Sequence, residues 1–557
     1  MQVMGWAIEP RNTALELSMT SAPLGSGQRY DLELRNPSRE PVAVTRVRLF
    51  LDASPERVLE HGWQSWSVVR RCLPSDVRPA RGAAEWWLRA QLHADPSLAG
   101  QVVCGDQFLV TDTGVVGYLD GRHNFSTVVV RTDPHHVTDA QEAPEASLEA
   151  VSLLDGVEIP AGGARRLDPV WLADGEAGSL YSEFVSHWAA ECTPRTSAHP
   201  PLGWCSWYEF YNHIRPEHVR SNLALAAEHG LGTVQIDDGW QAEIGSWHET
   251  APGWDVRPDT LAAEITAVGC EPGIWTAPFA VAEGARLVRE HPEWMVSDPD
   301  SGFPLRALFN PVWRGWCSAL DTTNPAVLDH IRTTFTDLGE WGYTFHKVDF
   351  LHVAAVPGVR AGGRNLTRAE AMTAALQAIR DGVGDDAFVA ASGCPLGPAV
   401  GLVDSMRVSD DVAQYWEARG SVEGYPEATP AAVNCVSMTA LRAPLHRRLW
   451  INDPDCVLLR PTGTLLDANE RRVITHSVLG AAGLVHLSDD LGRYGPAEWG
   501  RVARIAALMA DPDGPLDIVD PFATPLTVEG PARRLTIDWE RRYSRLSRRD
   551  DDAILLP

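Results

Sequence analysis

Lysine is almost absent from this chain of 557 residues. Of the 48 basic residues only Lys347 is lysine; the rest are arginine. No apolar run reaches the ~18 residues that a membrane span requires. The opening stretch MQVMGWAIEPRNTALELS lacks the basic-then-apolar order of a signal peptide. The nine cysteines are odd in number and form no Cys-x-x-Cys pair, which argues against a disulfide scaffold. A cytoplasmic, reducing location is the expectation, and the sequons at Asn124 and Asn365 then read as chance matches. Positive charge is in deficit: the net charge is −26, which excludes nucleic acid and an anionic membrane surface as partners. No phosphate-binding glycine loop follows a strand, so no nucleotide cofactor is expected. His-x-His and His-Glu-x-x-His are missing, His135–His136 sits in a turn-like stretch, and no metal is expected.

What the chain does have is tryptophan, 21 residues against 13 Phe and 10 Tyr. A flat apolar face with one donor suits sugar rings as well as cores. Residues 1 to about 175 read as β. RYDLELRN alternates Tyr30, Leu32 and Leu34 with charged residues, and turns recur at NPSRE, TDTG and PAGG. This predicts an N-terminal β-sandwich with its linker over 1–200. Eight short apolar runs follow at GWCSW, TVQIDDGW, GIWTAPF, TFHKVDF, AFVAASG, SMRVSDD, LWINDPD and LVHLSDD. Amphipathic patterns such as NPAVLDHIRTTFTDLGEWG lie between most of them, and the gap after AFVAASG leaves room only for a brief helix. The pattern predicts a multidomain chain with a central (β/α)8 TIM barrel over 201–512. A small C-terminal β domain is expected over 513–557, where RRYSRLSRRDDD reads as a solvated charged face.

In nearly every barrel run the polar residues come last, on the face where active sites of this fold sit. Asp453, Asp455, Asp489 and Asp490 also suit plain turns. Lys347 does not: it lies inside an apolar strand, on the same face as Asp349, where the alternatives are a functional pair and a buried ion pair. Cys205, Cys394 and Cys456 read as packing. Separated carboxylates in an acidic, Trp-rich barrel suggest glycoside hydrolysis, with one carboxylate attacking or activating water and the other protonating the leaving oxygen. Asp349, beside a cation, suits the nucleophile. For the acid, the residues alone leave Asp410 and Asp411 both open.

GWCSWYEFY, IDDGWQ, GIWTAPF, the Lys-x-Asp of FHKVDFLH and the Arg-x-x-x-Asp of MRVSDD resemble, in order and spacing, glycoside hydrolase family 36, the α-galactosidases. GWQSW and the length fit its compact bacterial members, and the resemblance covers the whole chain. It implies Asp349 as nucleophile and Asp411 as acid/base. It implies Asp237 and Asp238 on the sugar O4 and O6, with Lys347 and Arg407 also touching the sugar. Trp207, Tyr208 and Trp275 would line the pocket, and Trp63 or Trp66 would cap it. The implied activity is exo-acting, retaining hydrolysis of terminal α-galactosyl residues from an oligosaccharide such as melibiose or raffinose, without a cofactor. Galactosyl transfer and α-N-acetylgalactosaminidase activity on the same site are the alternatives, and a homo-oligomer stays open.

Two departures stand out. Ser392-Gly393-Cys394-Pro395 exchanges Ser and Cys relative to the Cys-Gly-Ser-Pro of many relatives, implying that Ser392 and Cys394 alter the contact at the sugar C2. Asp410 stands where compact relatives often have Pro. It is expected to raise the pKa of Asp411 and move the limb of the pH–rate curve that the acid controls.

Overall fold

The computed structural model describes all residues except 11–13, 78–91, 99–101, 132–147, 363–364, 421–428, 550–552 and 556–557. His135–His136 falls outside the described residues. Among the described residues the N-terminal region forms one hydrogen-bonded sheet of thirteen strands, eleven along one path and two beside it, rather than two separate sheets. The path nevertheless encloses a core. Leu34 from strand Gly27–Arg35, Leu49 from Val42–Leu51, Val128 from Phe125–Val130 and Leu172 from Val170–Asp174 share one apolar cluster. The helix Ala177–Glu191 packs Tyr181, Phe184 and Trp188 into a second, larger core shared with the rest of the chain.

All eight apolar runs carry parallel strands: β1 (Gly203–Cys205), β2 (Thr233–Ile236), β3 (Glu271–Thr276), β4 (Phe345–Val348), β5 (Phe388–Ala391), β6 (Ser405–Arg407), β7 (Ile451–Asp453), β8 (Cys456–Val457) and β9 (His486–Leu487). The path runs β7-β6-β5-β4-β3-β2-β1-β9-β8. Its two ends are β7, in the LWINDPD run, and β8, directly after it, separated by Pro454 and Asp455. Proline cannot donate to a ladder, and Asp455 has φ +73. One stretch of chain therefore pairs with β6 before the break and with β9 after it.

The helices start where the sequence supplies caps. Asn324 accepts from the Ala326 N–H to open α1 (Pro325–Glu340). Thr367 with Glu370 boxes α2 (Arg368–Val383), and Asp467 with Glu470 boxes α4 (Ala468–Ala481). Helix α1 buries Val327, Ile331, Phe335 and Leu338, a helical stripe in which each side chain contributes about 1.5–3 kcal/mol. The helix after β5 is four residues long, Leu396–Ala399. α3 (Ala432–Leu441) ends at Arg442. No described helix is long and apolar enough to cross a membrane, and all nine cysteines are free.

Two features depart from the sequence reading. An antiparallel sheet of Ala280–Ala282, Arg306–Asn310 and Gly315–Ala319 is inserted between β3 and β4. The charged tail is only half solvated. Tyr543–Arg548 closes a four-stranded antiparallel sheet and buries Ser544 and Leu546 between outward Tyr543 and Arg545.

Candidate active site

The C-terminal ends of β2, β3, β4 and β6 surround one cavity. Its wall holds Asp237, Asp238, Trp275, Lys347, Asp349, Asp410 and Asp411. Trp207, Gln64, Trp66, Leu92, Phe350 and Pro430 complete it, together with Asn310 and Val312 from the inserted sheet. Five carboxylates face one ammonium.

Asp349 follows β4 directly. The Trp275 indole N–H donates to its Oδ2 at 2.9 Å and the Phe350 N–H to its Oδ1 at 2.9 Å. Phe350 has φ +55, and this left-handed turn aims its own N–H back at the carboxylate. Lys347 pairs at 2.8 Å with Asp237, across the sheet, and not with its strand neighbour Asp349. The physical reason is that β2 ends level with Lys347 and presents a carboxylate that Gln235 Nε2 also orients, at 2.6 Å. Burial opposes the ammonium, but Asp237 and the nearby Asp349 hold its pKa well above the usual lysine value. Asp238 receives the Trp313 indole N–H at 2.8 Å and Gln241 Nε2 at 2.6 Å. Burial still lifts its pKa to about 6. Gly239 makes this turn with φ +120, where a Cβ would lie 2.7 Å from the Asn212 backbone.

Asp411 is 39% exposed, toward the cavity. Desolvation there, with Asp455 and Asp349 nearby, lifts its pKa to about 6 against the pull of Arg407. Arg407 contacts Asp411 at 3.0 Å and Asp455 at 2.9 Å. Asp455 also accepts from the Tyr208 hydroxyl and, at 2.8 Å, from the Val412 N–H. Arg407, on Asp411 and Asp455, and Tyr208, on Asp455, therefore stand behind the wall rather than lining the cavity. Asp410 is buried; burial and Asp411 push its pKa well up. The Asp411 N–H donates to it at 2.9 Å. Burial, Asp455 and Asp349 lift Asp411, and Asp411 in turn lifts Asp410.

Between them the two tryptophans of GWQSW settle which one reaches the cavity. Trp66 lines it, edge-on to Phe350 with ring centroids 4.9 Å apart. Trp63 is buried edge-on against Phe125 in the core. Gly393, at φ +56, leaves room for Trp66; a Cβ there would sit 2.9 Å from the indole. Ser392 and Cys394 flank that glycine. Both are buried, and neither is among the lining residues. The Cys394 N–H instead docks the Ser65 hydroxyl at 3.2 Å. Sequence reasoning missed Trp313, Asn310 and Val312, although the Trp-rich FNPVWRGW was a signal. It also left Asp455 between a turn role and a site role.

The Melibiase family profile matches residues 177–375. The α-galactosidase AgaA of Geobacillus stearothermophilus is 28% identical over 102 residues, 17% of this chain and 14% of that one. An α-galactosidase of Escherichia coli is 24% identical over 158 residues, 27% of this chain and 21% of that one. The matched segments thus span a minor part of these relatives. Over nearly the full length the chain resembles the solved structure of TtGalA, an α-galactosidase from Thermus thermophilus in complex with p-nitrophenyl α-D-galactopyranoside. That match has a TM-score of 0.72 and 26% identity, and covers 94% of this chain and all of the other.

Proposed function

We propose that the chain is an exo-acting, retaining α-galactosidase of the family 36 type, a reading that rests on the Melibiase profile over 177–375 and on the full-length likeness to TtGalA. The single observation that carries this reading is the pairing of two differently held carboxylates in one cavity. Asp349 is fixed by two N–H donors, which suit an anion, while Asp411 is lifted toward a protonated state near pH 6. Asp349 is the nucleophile and Asp411 the acid/base. Asp237, Asp238 and Lys347 receive the sugar hydroxyls, and Trp66 and Trp207 cover the ring. A hydroxyl of the wrong configuration would leave buried charge unpaired, which is how such a floor selects galactose. We read the nine-membered strand path as a closed (β/α)8 barrel over 201–512, between a β-region over 1–200 and a C-terminal β domain over 513–557.

The test is release of p-nitrophenol from the α-galactoside beside the α-glucoside and α-N-acetylgalactosaminide, with NMR of the first-formed sugar. α-Galactose as first product supports the reading. Cleavage of the N-acetylated substrate alone would move the specificity, and β-galactose would sink retention.

Further results are expected. Asp411 must be protonated to act, so kcat/KM falls as pH rises through about 6. A dinitrophenyl leaving group departs without a proton and should flatten that limb. Asp410→Asn should leave the limb in place, because burial, Asp455 and Asp349 are what lift Asp411; a shift would show that Asp410 adds to that lift. Trp313→Phe removes one N–H from the Asp238 carboxylate. A hydrogen bond to a charged group is worth about 1.5–3 kcal/mol, so kcat/KM should drop roughly ten- to a hundredfold, mostly through KM, with the urea midpoint little changed.

A further inference from the structure

Away from the cavity, three buried side chains of the N-terminal region turn their donor atoms to one point. His93 Nδ1 lies 3.2 Å from Asp106 Oδ2 and 3.4 Å from Cys104 Sγ. The three donor atoms all lie within 4.8 Å of one another. Cys104 and Asp106 are two residues apart on the strand Val103–Asp106 and so share a face. A relay of nucleophile, base and acid would use both ring nitrogens of the histidine. Here thiol and carboxylate both address Nδ1, which carries at most one proton. The second carboxylate oxygen, Asp106 Oδ1, is buried with no partner among the described residues. The Asp106 side chain is 1% exposed.

We propose that His93, Cys104 and Asp106 bind a divalent transition-metal ion of the zinc type. A tetrahedral ion holds N and O ligands at about 2.0–2.2 Å and S at about 2.3 Å, which puts neighbouring ligand atoms about 3.2–3.7 Å apart. The separations of 3.2 and 3.4 Å fall in that range. Charge closes as well. One dication, one thiolate and one carboxylate with a neutral imidazole sum to zero, the form that burial demands. Binding releases the thiol proton, the unpartnered Oδ1 shows that the carboxylate is not fully engaged elsewhere among the described residues, and a water would take the fourth position. The second candidate cluster, Asp120, His123 and Asp168, differs. His123 is 53% exposed, and Asp120 is held by Arg122. The ion would act as a structural stake. Leu92, beside His93, lines the cavity. Gly105 bridges to His61, which leads into the loop carrying Trp66.

The test is cobalt(II) added to full-length protein stripped with a chelator, followed by zinc competition and elemental analysis. One equivalent per chain is expected, with a thiolate-to-cobalt charge-transfer band that zinc abolishes. Cys104→Ser should remove the band and His93→Ala the stoichiometric uptake, while Asp168→Asn changes neither. A wild-type protein that shows no thiolate band with added cobalt overturns the site, whatever the variants do, as does uptake that survives Cys104→Ser with His93→Ala. The readout is spectroscopic and does not depend on α-galactosidase activity.

Discussion

Asp349→Ala should lower kcat/KM toward p-nitrophenyl α-galactoside by a factor on the order of 10⁴ or more, the scale seen when a residue at the centre of a catalytic unit is removed. Azide should restore turnover. The truncation leaves the Trp275 indole N–H and the Phe350 N–H in place, both aimed at the space the carboxylate filled. Two convergent donors with the Lys347 charge nearby make that space an anion site, and azide is an anion small enough to occupy it. Its product reports the geometry. Azide attacking from the position of Asp349 displaces the α-linked leaving group directly and gives the β-galactosyl azide. Asp411→Ala keeps the nucleophile, so azide there would intercept the glycosyl-enzyme and give the α-galactosyl azide. If Asp349→Ala gave the α-azide, or kept more than about a hundredth of the activity, the two roles would have to be exchanged or abandoned.

The contrast between the two carboxylates was half legible in the sequence. Strand positions were legible because each strand is an apolar run ending in polar residues, and a period of 2 placed Lys347 and Asp349 on one face. Which carboxylate Lys347 meets was not, because that depends on the relative height of β2 and β4, a property of the packed sheet. The same limit explains Arg407. Its spacing to Asp411 was visible, but its second partner, Asp455, comes from the break between β7 and β8. Trp313 was hidden for another reason. The inserted sheet lies within a region read as the connection between two barrel strands, and its tip reaches the site only through tertiary folding. Trp63 and Trp66 were indistinguishable because both are apolar rings on one short loop. The structure separates them by what docks the loop: a β-bridge between Gln64 and Pro395, and the Leu396 N–H to Trp63 O at 3.0 Å.

That loop has a stronger tether, and its removal should have the largest effect on stability. Arg442 is fully buried at the end of α3. Its guanidinium donates to Ser65 O at 2.6 Å, Val408 O at 3.0 Å, Gln64 O at 3.2 Å and Gly62 O at 3.3 Å, and its Nε to His61 Nε2 at 3.1 Å. One planar fork thus ties the loop bearing Gln64 and Trp66 to the segment between Arg407 and Asp410. Burial pushes its pKa down, and carbonyl dipoles rather than a carboxylate are what hold the charge. Lysine could not replace it, since a single ammonium has three donors and no planar spread. Arg442→Met keeps the volume but leaves buried carbonyls without a donor, at about 1–3 kcal/mol for each that stays unsatisfied. Partial relaxation makes a loss of about 3–5 kcal/mol the expected result, read as a lowered urea midpoint. The Trp66 side of the cavity should loosen with it, so kcat/KM falls even where the protein remains folded, and Arg442→Lys should rescue little. A methionine variant within about 1 kcal/mol of the parent, with unchanged kcat/KM, would show that the loop is held by its other contacts and that the buried charge is incidental to the site.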